Sequence, residues 1–267
     1  MSLPNPTTDS QVVVTGASSG IGTELARGFA ARGHNVALVA RRRDRLDKLA
    51  DELRSRNRIN VETYPRDLGD AAQRKSLVDQ LRQSVRRVSG LCNCAGFGTA
   101  GTFAELPVDR ELDQIELNVT AIVDLTHAFV GSMVEHGRGA ILNVASVAAF
   151  QPIPGLATYS ATKAFVQTFS ESVHEELRGT GVSCTVVSPG PVQTEWADIA
   201  NAQAVMVGPT QMDAEDVAEA AISGMENGKR TVVPGLVPKA MTLGGRYAPR
   251  TLLLPALSIG RRVRKGR

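Results

Sequence analysis

Gln11-Val12-Val13-Val14-Thr15-Gly16-Ala17-Ser18-Ser19-Gly20-Ile21-Gly22 decides the fold of this chain. Gln11 to Val14 is a short apolar run, rich in β-branched residues, and a glycine-rich turn follows at once. Thr23 to Arg32 then places Leu25, Ala26, Phe29 and Ala30 at helical spacing. Strand, glycine turn and helix in that order form a cradle for a dinucleotide. Glycines let the backbone approach a pyrophosphate, while the helix amino terminus offers free N–H groups and partial positive charge. The turn therefore predicts cofactor contacts from Gly16, Ser18, Ser19, Gly20, Ile21 and Gly22. Its spacing, Gly16-x-x-x-Gly20-x-Gly22, differs from the usual Gly-x-Gly-x-x-Gly.

Working outward, Val/Ile/Leu-rich runs alternate with longer helical stretches along all 267 residues. Strands are expected near 11–15, 35–40, 60–65, 88–93, 138–145, 181–187 and 230–233, with helices between them. That alternation implies parallel βαβ crossovers. The fold class is α/β: a single doubly wound Rossmann-type domain with a mainly parallel seven-stranded sheet.

A second constellation lies in the other half of the chain. Tyr159 and Lys163 are four residues apart in the run Ala157 to Leu177, which has no Pro and no Gly. Residues at i and i+4 share a helix face, so the ammonium is expected to lower the tyrosine pKa from its free value of about 10. Ser146 follows the strand-like run Ala140 to Ala145, at a strand end facing that helix. A proton donor, its electrostatic tuner and a hydrogen-bond partner for a carbonyl oxygen are the roles this trio can fill.

Taken together, the glycine turn, Ser146, Tyr159 and Lys163 resemble the short-chain dehydrogenase/reductase family, over roughly residues 10 to 235. Further landmarks follow in the family's order. Asp67, after Val61-Glu62-Thr63-Tyr64, resembles its adenine-contacting acid. Asn93-Cys94-Ala95-Gly96 resembles its Asn-Asn-Ala-Gly element, with Cys94 in place of the second Asn. The resemblance implies cofactor contacts from Asn93, Ala95 and Gly96, and from Pro189, Gly190, Val192 and Thr194 of the Pro-Gly turn. It also implies Asn118 as fourth catalytic residue, holding a relay water, and Lys163 as a ligand of the nicotinamide ribose. Relatives of this kind assemble as homodimers or homotetramers through the helices around Asn118 and Tyr159.

Cofactor choice is read at the end of the second strand. Asn35 to Ala40 ends without the acid that binds a ribose 2′-hydroxyl and continues as Arg41-Arg42. A guanidinium can bind a 2′-phosphate through two hydrogen bonds, so NADP(H) is expected, with Arg41 the first candidate and Arg42 the second. The implied reaction is NADPH-dependent reduction of a carbonyl to an alcohol. The domain reading is 1–235 for cofactor and catalysis, with a substrate lid about 195–210, and 236–267 as an extension.

Trp196, Ile199, Val205, Met206 and Val207 make that lid oily, and Phe97 and Phe150 to Pro154 add apolar wall. A lipophilic ketone is therefore expected. Similarity to a ketoacyl reductase branch of the family makes a 3-ketoacyl substrate the first choice, with steroid or other hydrophobic ketones as the alternative. A non-catalytic NADP-binding regulator is the reading from a different class, and the four filled tetrad positions argue against it.

The net charge of +3 is unevenly placed. Residues 236–267 hold eight basic residues and no acidic one, leaving residues 1–235 at −5. The basic residues lie in a terminal cluster and a cofactor-sized patch, and aromatics are only 4%, which disfavours nucleic acid as a partner. The extension reads either as a cover on the active site or a second subunit, or as a peripheral membrane contact. Pro249 and Pro255 are expected to hold any helix there to short pieces. No secretory signal and no run of eighteen apolar residues is found, so no transmembrane segment is expected. Cys92, Cys94 and Cys184 read as free thiols in a reducing cytoplasm, and no metal site is expected.

Overall fold

The computed structural model describes residues 3–200 and 211–265, with side chains through Ser258. Seven strands form one sheet: β1 (Ser10–Thr15), β2 (Asn35–Ala40), β3 (Val61–Pro65), β4 (Arg87–Asn93), β5 (Gly139–Val144), β6 (Val182–Val187) and β7 (Thr231–Val232). Their order is β3-β2-β1-β4-β5-β6-β7, and every pairing is parallel. The direction of winding reverses between β1 and β4, and in doubly wound sheets this opens a crevice at the carboxyl ends of those strands.

The strands read as continuous apolar runs because helices cover both faces. Val12, Val14, Val36 and Leu38 point to one face, where Leu25 and Phe29 of α1 (Gly20–Ala31), Leu46 and Leu53 of α2 (Arg43–Arg56) and Ile222 of α8 (Ala214–Glu226) are buried. Val13, Ala37, Val39 and Ile141 point to the other, against Leu77 and Leu81 of α3 (Ala71–Gln83) and Leu125 and Phe129 of α5 (Ala121–Glu135). Each such Leu or Phe contributes about 1.5–3 kcal/mol by leaving water.

α5 continues without a break from α4 (Val108–Ile115) through a π-helical turn, Glu116–Thr120. Arg74, buried on α3, fixes its flank by pairing with Glu116 at 2.7 Å and Asp124 at 2.9 Å. The combined helix Val108–Glu135 is long and apolar enough to cross a membrane by length and composition alone. Its α5 half instead packs Ala121, Ile122, Leu125, Phe129 and Met133 into the protein interior. α6 (Ala157–Glu176) runs uninterrupted and carries Tyr159 and Lys163.

After β7, Gly235 takes φ 82°, which turns the chain into α9 (Leu236–Tyr247). Pro249 separates it from α10 (Arg250–Lys265) as expected, but Pro255 does not end α10, which runs on for ten further residues. The reason is local: proline removes one N–H, and the carbonyl it leaves unpaired, on Thr251, belongs to an exposed residue beside water. Arg250 ties the extension down, donating to Gly245 O at 2.9 Å and Phe150 O at 3.4 Å.

Candidate active site

A cavity of about 780 Å³ opens at the carboxyl ends of the central strands. At one end the glycine turn shapes it. Gly16 and Gly20 take φ of 70° and 53°, and a Cβ on Gly20 would meet Thr194 Cγ2 at 2.7 Å. The turn after β4 is held to it by Thr15, whose Oγ1 accepts from Cys94 N at 3.0 Å and Ala95 N at 3.1 Å. Gly16, Ser18 through Gly22, Arg41, Arg42, Asp67, Ala95, Gly96, Pro189, Gly190, Val192 and Thr194 all line this cavity, as do Ser146, Tyr159 and Lys163.

Two predicted residues do not. Asn93 is buried below the cavity, donating to Asn143 Oδ1 at 2.9 Å and Thr126 Oγ1 at 3.3 Å, so it ties β4 to β5 and α5. Asn118 is fully buried in the π-helical turn, and its amide clamps the backbone of Phe97. Nδ2 donates to Phe97 O at 2.9 Å and Thr162 Oγ1 at 3.1 Å, while Oδ1 accepts from Phe97 N at 3.1 Å. It is nonetheless near the lysine: a Cβ on Gly96 would lie 2.9 Å from Asn118 Oδ1 and 3.5 Å from Lys163 Nζ.

The two arginines at the end of β2 are placed differently. Arg41 is 70% exposed, with Asp67 Oδ2 at 3.9 Å. Arg42 instead folds over the glycine turn, donating from Nε and Nη2 to Ser18 Oγ at 3.2 and 3.0 Å. Its Nη1 reaches Glu195 Oε2 at 2.8 Å, and Arg45 Nη1 reaches Oε1 of the same carboxylate at 2.6 Å.

At the reacting end, Ser146 caps a short turn by accepting from Ala148 N at 3.2 Å. Tyr159 is half-buried and lies against Trp196, ring centroids 4.8 Å apart. Lys163 is buried, donates to Val144 O at 2.8 Å, and sits 5.8 Å from the Tyr159 ring centroid. The expected electrostatics are corrected here. Burial pushes the Tyr159 phenol up to about 12, opposed only by the hydrogen bond with Ser146. Burial pushes the Lys163 ammonium down to about 8. Desolvation is the largest cause at both groups, so the phenol stays protonated at neutral pH and can donate.

Phe97, Ile153, Trp196, Ile199, Met241 and Leu257 form an apolar wall. Met241 and Leu257 come from α9 and α10, which places the extension at the cavity, where the sequence left two options open. Of the lid expected over 195–210, Trp196–Ile199 forms a short helix, α7, and residues 201–210 lie outside the described residues. Sequence reasoning also missed Glu195, Arg45 and Arg110. Glu195 and Arg45 are 150 positions apart, and no local pattern joins them. Arg110 stacks over the Phe97 ring at 4.4 Å. Among the described residues no group of three or more His, Cys, Asp or Glu could hold a metal ion.

A parallel doubly wound sheet with Ser, Tyr and Lys meeting at a dinucleotide-sized crevice defines a nucleotide-dependent oxidoreductase. The family model described as short chain dehydrogenase matches residues 10–204, and the chain belongs to that family. Sulfoacetaldehyde reductase 2 of Chromohalobacter salexigens is 40% identical over 219 residues, which is 78% of this chain and 85% of the relative. A very-long-chain 3-oxoacyl-CoA reductase of Anas platyrhynchos is 33% identical over 193 residues, 70% of this chain and 61% of the relative. The solved short-chain dehydrogenase of Sphingobium yanoikuyae in complex with NADPH superposes with a TM-score of 0.80 at 34% identity, covering 88% of this chain and 92% of that one.

Proposed function

We propose that this protein uses NADPH to reduce a lipophilic ketone, with a 3-ketoacyl ester as first candidate. The reading is carried by one observation: Ser146, Tyr159 and Lys163 line the same cavity as the glycine turn and Arg42. The residues fit a dinucleotide, because the turn is free of side chains where backbone must approach. A guanidinium rather than a carboxylate stands at the end of β2.

The nicotinamide, when bound, supplies a hydride to the carbonyl carbon. Tyr159, protonated, donates its proton to the oxygen, and Ser146 Oγ holds that oxygen in place. Lys163 binds the ribose hydroxyls and supports the phenolate left behind. Asn118 fixes the Phe97 backbone, and its proposed part in the proton relay is to hold a water through Oδ1. Pro189, Gly190, Val192 and Thr194 hold the nicotinamide end, Asp67 the adenine, and Arg42 ahead of Arg41 the 2′-phosphate.

Lys163 gives this mechanism a pH signature. With its pKa at about 8, the ammonium is present below that pH and lost above it. A profile of log kcat/KM for reduction is expected to be level below about 8 and to fall as pH rises through it. A profile level to pH 10 would remove the ammonium from the mechanism.

The apolar wall supports an acyl chain. A second reading rests on Arg110, the cation stacked on Phe97 within that wall, and on the sulfoacetaldehyde reductase relative. It makes the substrate a small anionic aldehyde. NADPH oxidation with 3-ketoacyl-CoA esters of increasing length, a steroid ketone and sulfoacetaldehyde separates the readings. We expect kcat/KM to rise roughly 10- to 15-fold per added pair of fully buried methylenes until the cavity fills. A flat response sinks the acyl reading, and preference for sulfoacetaldehyde replaces it with the second.

Exposed Val108, Leu112 and Ile115 on α4 and Phe165 on α6 support assembly as a homodimer or homotetramer. We read the extension first as a cover over the site, with peripheral contact to an anionic membrane as the alternative. The free thiols of Cys92, Cys94 and Cys184 favour the cytoplasm.

A further inference from the structure

Glu195 stands at an unusual place. It follows Thr194 in the cavity wall and precedes Trp196, whose ring lies on Tyr159. Its two carboxylate oxygens are divided between two arginines of the β2–α2 junction: Oε2 accepts from Arg42 at 2.8 Å and Oε1 from Arg45 at 2.6 Å. Arg45 and Arg42 together hold its carboxyl below the usual carboxylate range. The other edge of Arg42 is taken by Ser18, through Oγ at 3.0 Å and the carbonyl oxygen at 3.3 Å.

Arg42 therefore has no free fork. A guanidinium binds phosphate best through two parallel N–H donors on one edge, and both edges of Arg42 are already engaged. The anion joining Arg42 to Arg45 is the protein's own carboxylate, seated where a doubly charged phosphate would bridge the same pair. We infer that Glu195 is an internal competitor for the 2′-phosphate seat and so sets how strongly the protein distinguishes phosphorylated from unphosphorylated dinucleotides. This inference rests on the proposed assignment of Arg42 to the 2′-phosphate.

The consequence is specific. A ligand with a 2′-hydroxyl leaves the Glu195 bridge intact and gains nothing from the arginines. A ligand with a 2′-phosphate must release Glu195, exchanging one anion for another, so its net gain is smaller than two free arginines would give. Release also frees the residue that starts α7 (Trp196–Ile199), so the adenosine end of the crevice is coupled through one peptide bond to the ring beside Tyr159. Glu195, Arg42 and Arg45 are each 36–43% exposed, so solvent screens the bridge and the effect is modest in size.

Trp196 is the only tryptophan in the chain and adjoins Glu195, so its fluorescence reports binding without turnover. Titration of the full-length protein with adenosine 2′,5′-bisphosphate, and with ADP as the ligand lacking a 2′-phosphate, gives two dissociation constants per variant. In Glu195→Gln, affinity for the bisphosphate is expected to rise roughly three- to tenfold while that for ADP changes less than about twofold. Unchanged or weaker bisphosphate binding in Glu195→Gln would overturn the inference. Arg42→Ala separates this failure from failure of the cofactor assignment. If Arg42→Ala loses bisphosphate affinity while Glu195→Gln is silent, only the competition is wrong. If Arg42→Ala binds the bisphosphate like wild type, the 2′-phosphate seat itself is misassigned and the inference falls with it.

Discussion

Tyr159→Phe is expected to lower kcat for carbonyl reduction by roughly 10²–10⁴-fold, the usual contribution of a positioned general acid. The substitution removes one oxygen and little else. The ring still packs on Trp196, and the helix that carries it is unbroken from Ala157 to Glu176. Dinucleotide affinity should therefore stay within about threefold of wild type, because the missing hydroxyl acts on the reacting oxygen. Steady-state reduction alongside Trp196 fluorescence titration measures both quantities. A loss of less than about tenfold would mean that Tyr159 is not the proton donor, whatever its position.

The second large effect is expected at the glycine turn. A Cβ on Gly22 would lie 2.2 Å from Gly16 O and 2.6 Å from Gly16 C, and neither atom can swing aside as a side chain could. Gly22→Val must displace the turn between β1 and α1, at a cost of about 2–4 kcal/mol in unfolding free energy. It also disturbs the free N–H groups of α1, so dinucleotide affinity should fall at least about 100-fold. Urea unfolding and ligand titration test the two parts. Gly131→Ala is the matched control: a Cβ there meets nothing within 4 Å, and in a helix it should be neutral or stabilising by up to about 1 kcal/mol. A Gly22 variant with wild-type binding would show that the turn does not need its close approach.

The fold was legible because each local signal agreed with the global one. Val12 and Val14 alternate with Val13, so β1 serves two cores at once, and only a sheet covered on both faces uses such a strand. The Tyr159–Lys163 spacing placed both residues on one helix and at one cavity. What escaped the sequence was the long-range and the quantitative. Spacing cannot say that burial sets the direction of the shift at Tyr159, since that depends on what covers the group. Nor can it choose between adjacent arginines, because Arg41 and Arg42 differ only in which way the end of β2 turns them. Asn93 was read by the company it keeps in the motif, and spacing did not reveal that its Nδ2 donates to Asn143 and joins β4 to β5. Glu195 sits 153 positions from Arg42, beyond the reach of any window.

The strand order has a further consequence, for synthesis. β1, made before the other six strands, lies inside the sheet between β2 and β4. On a chain emerging from the ribosome, β1, β2 and β3 can pair early, yet one side of β1 stays open until Arg87–Asn93 has followed. An unpaired strand edge is a template for pairing with other chains, and parallel partners separated by long crossovers close slowly. The nascent chain is therefore most prone to aggregate after β3 has formed and before β4 arrives. Its half-built nucleotide cradle is then already present, while Ser146, Tyr159 and Lys163 have yet to be made.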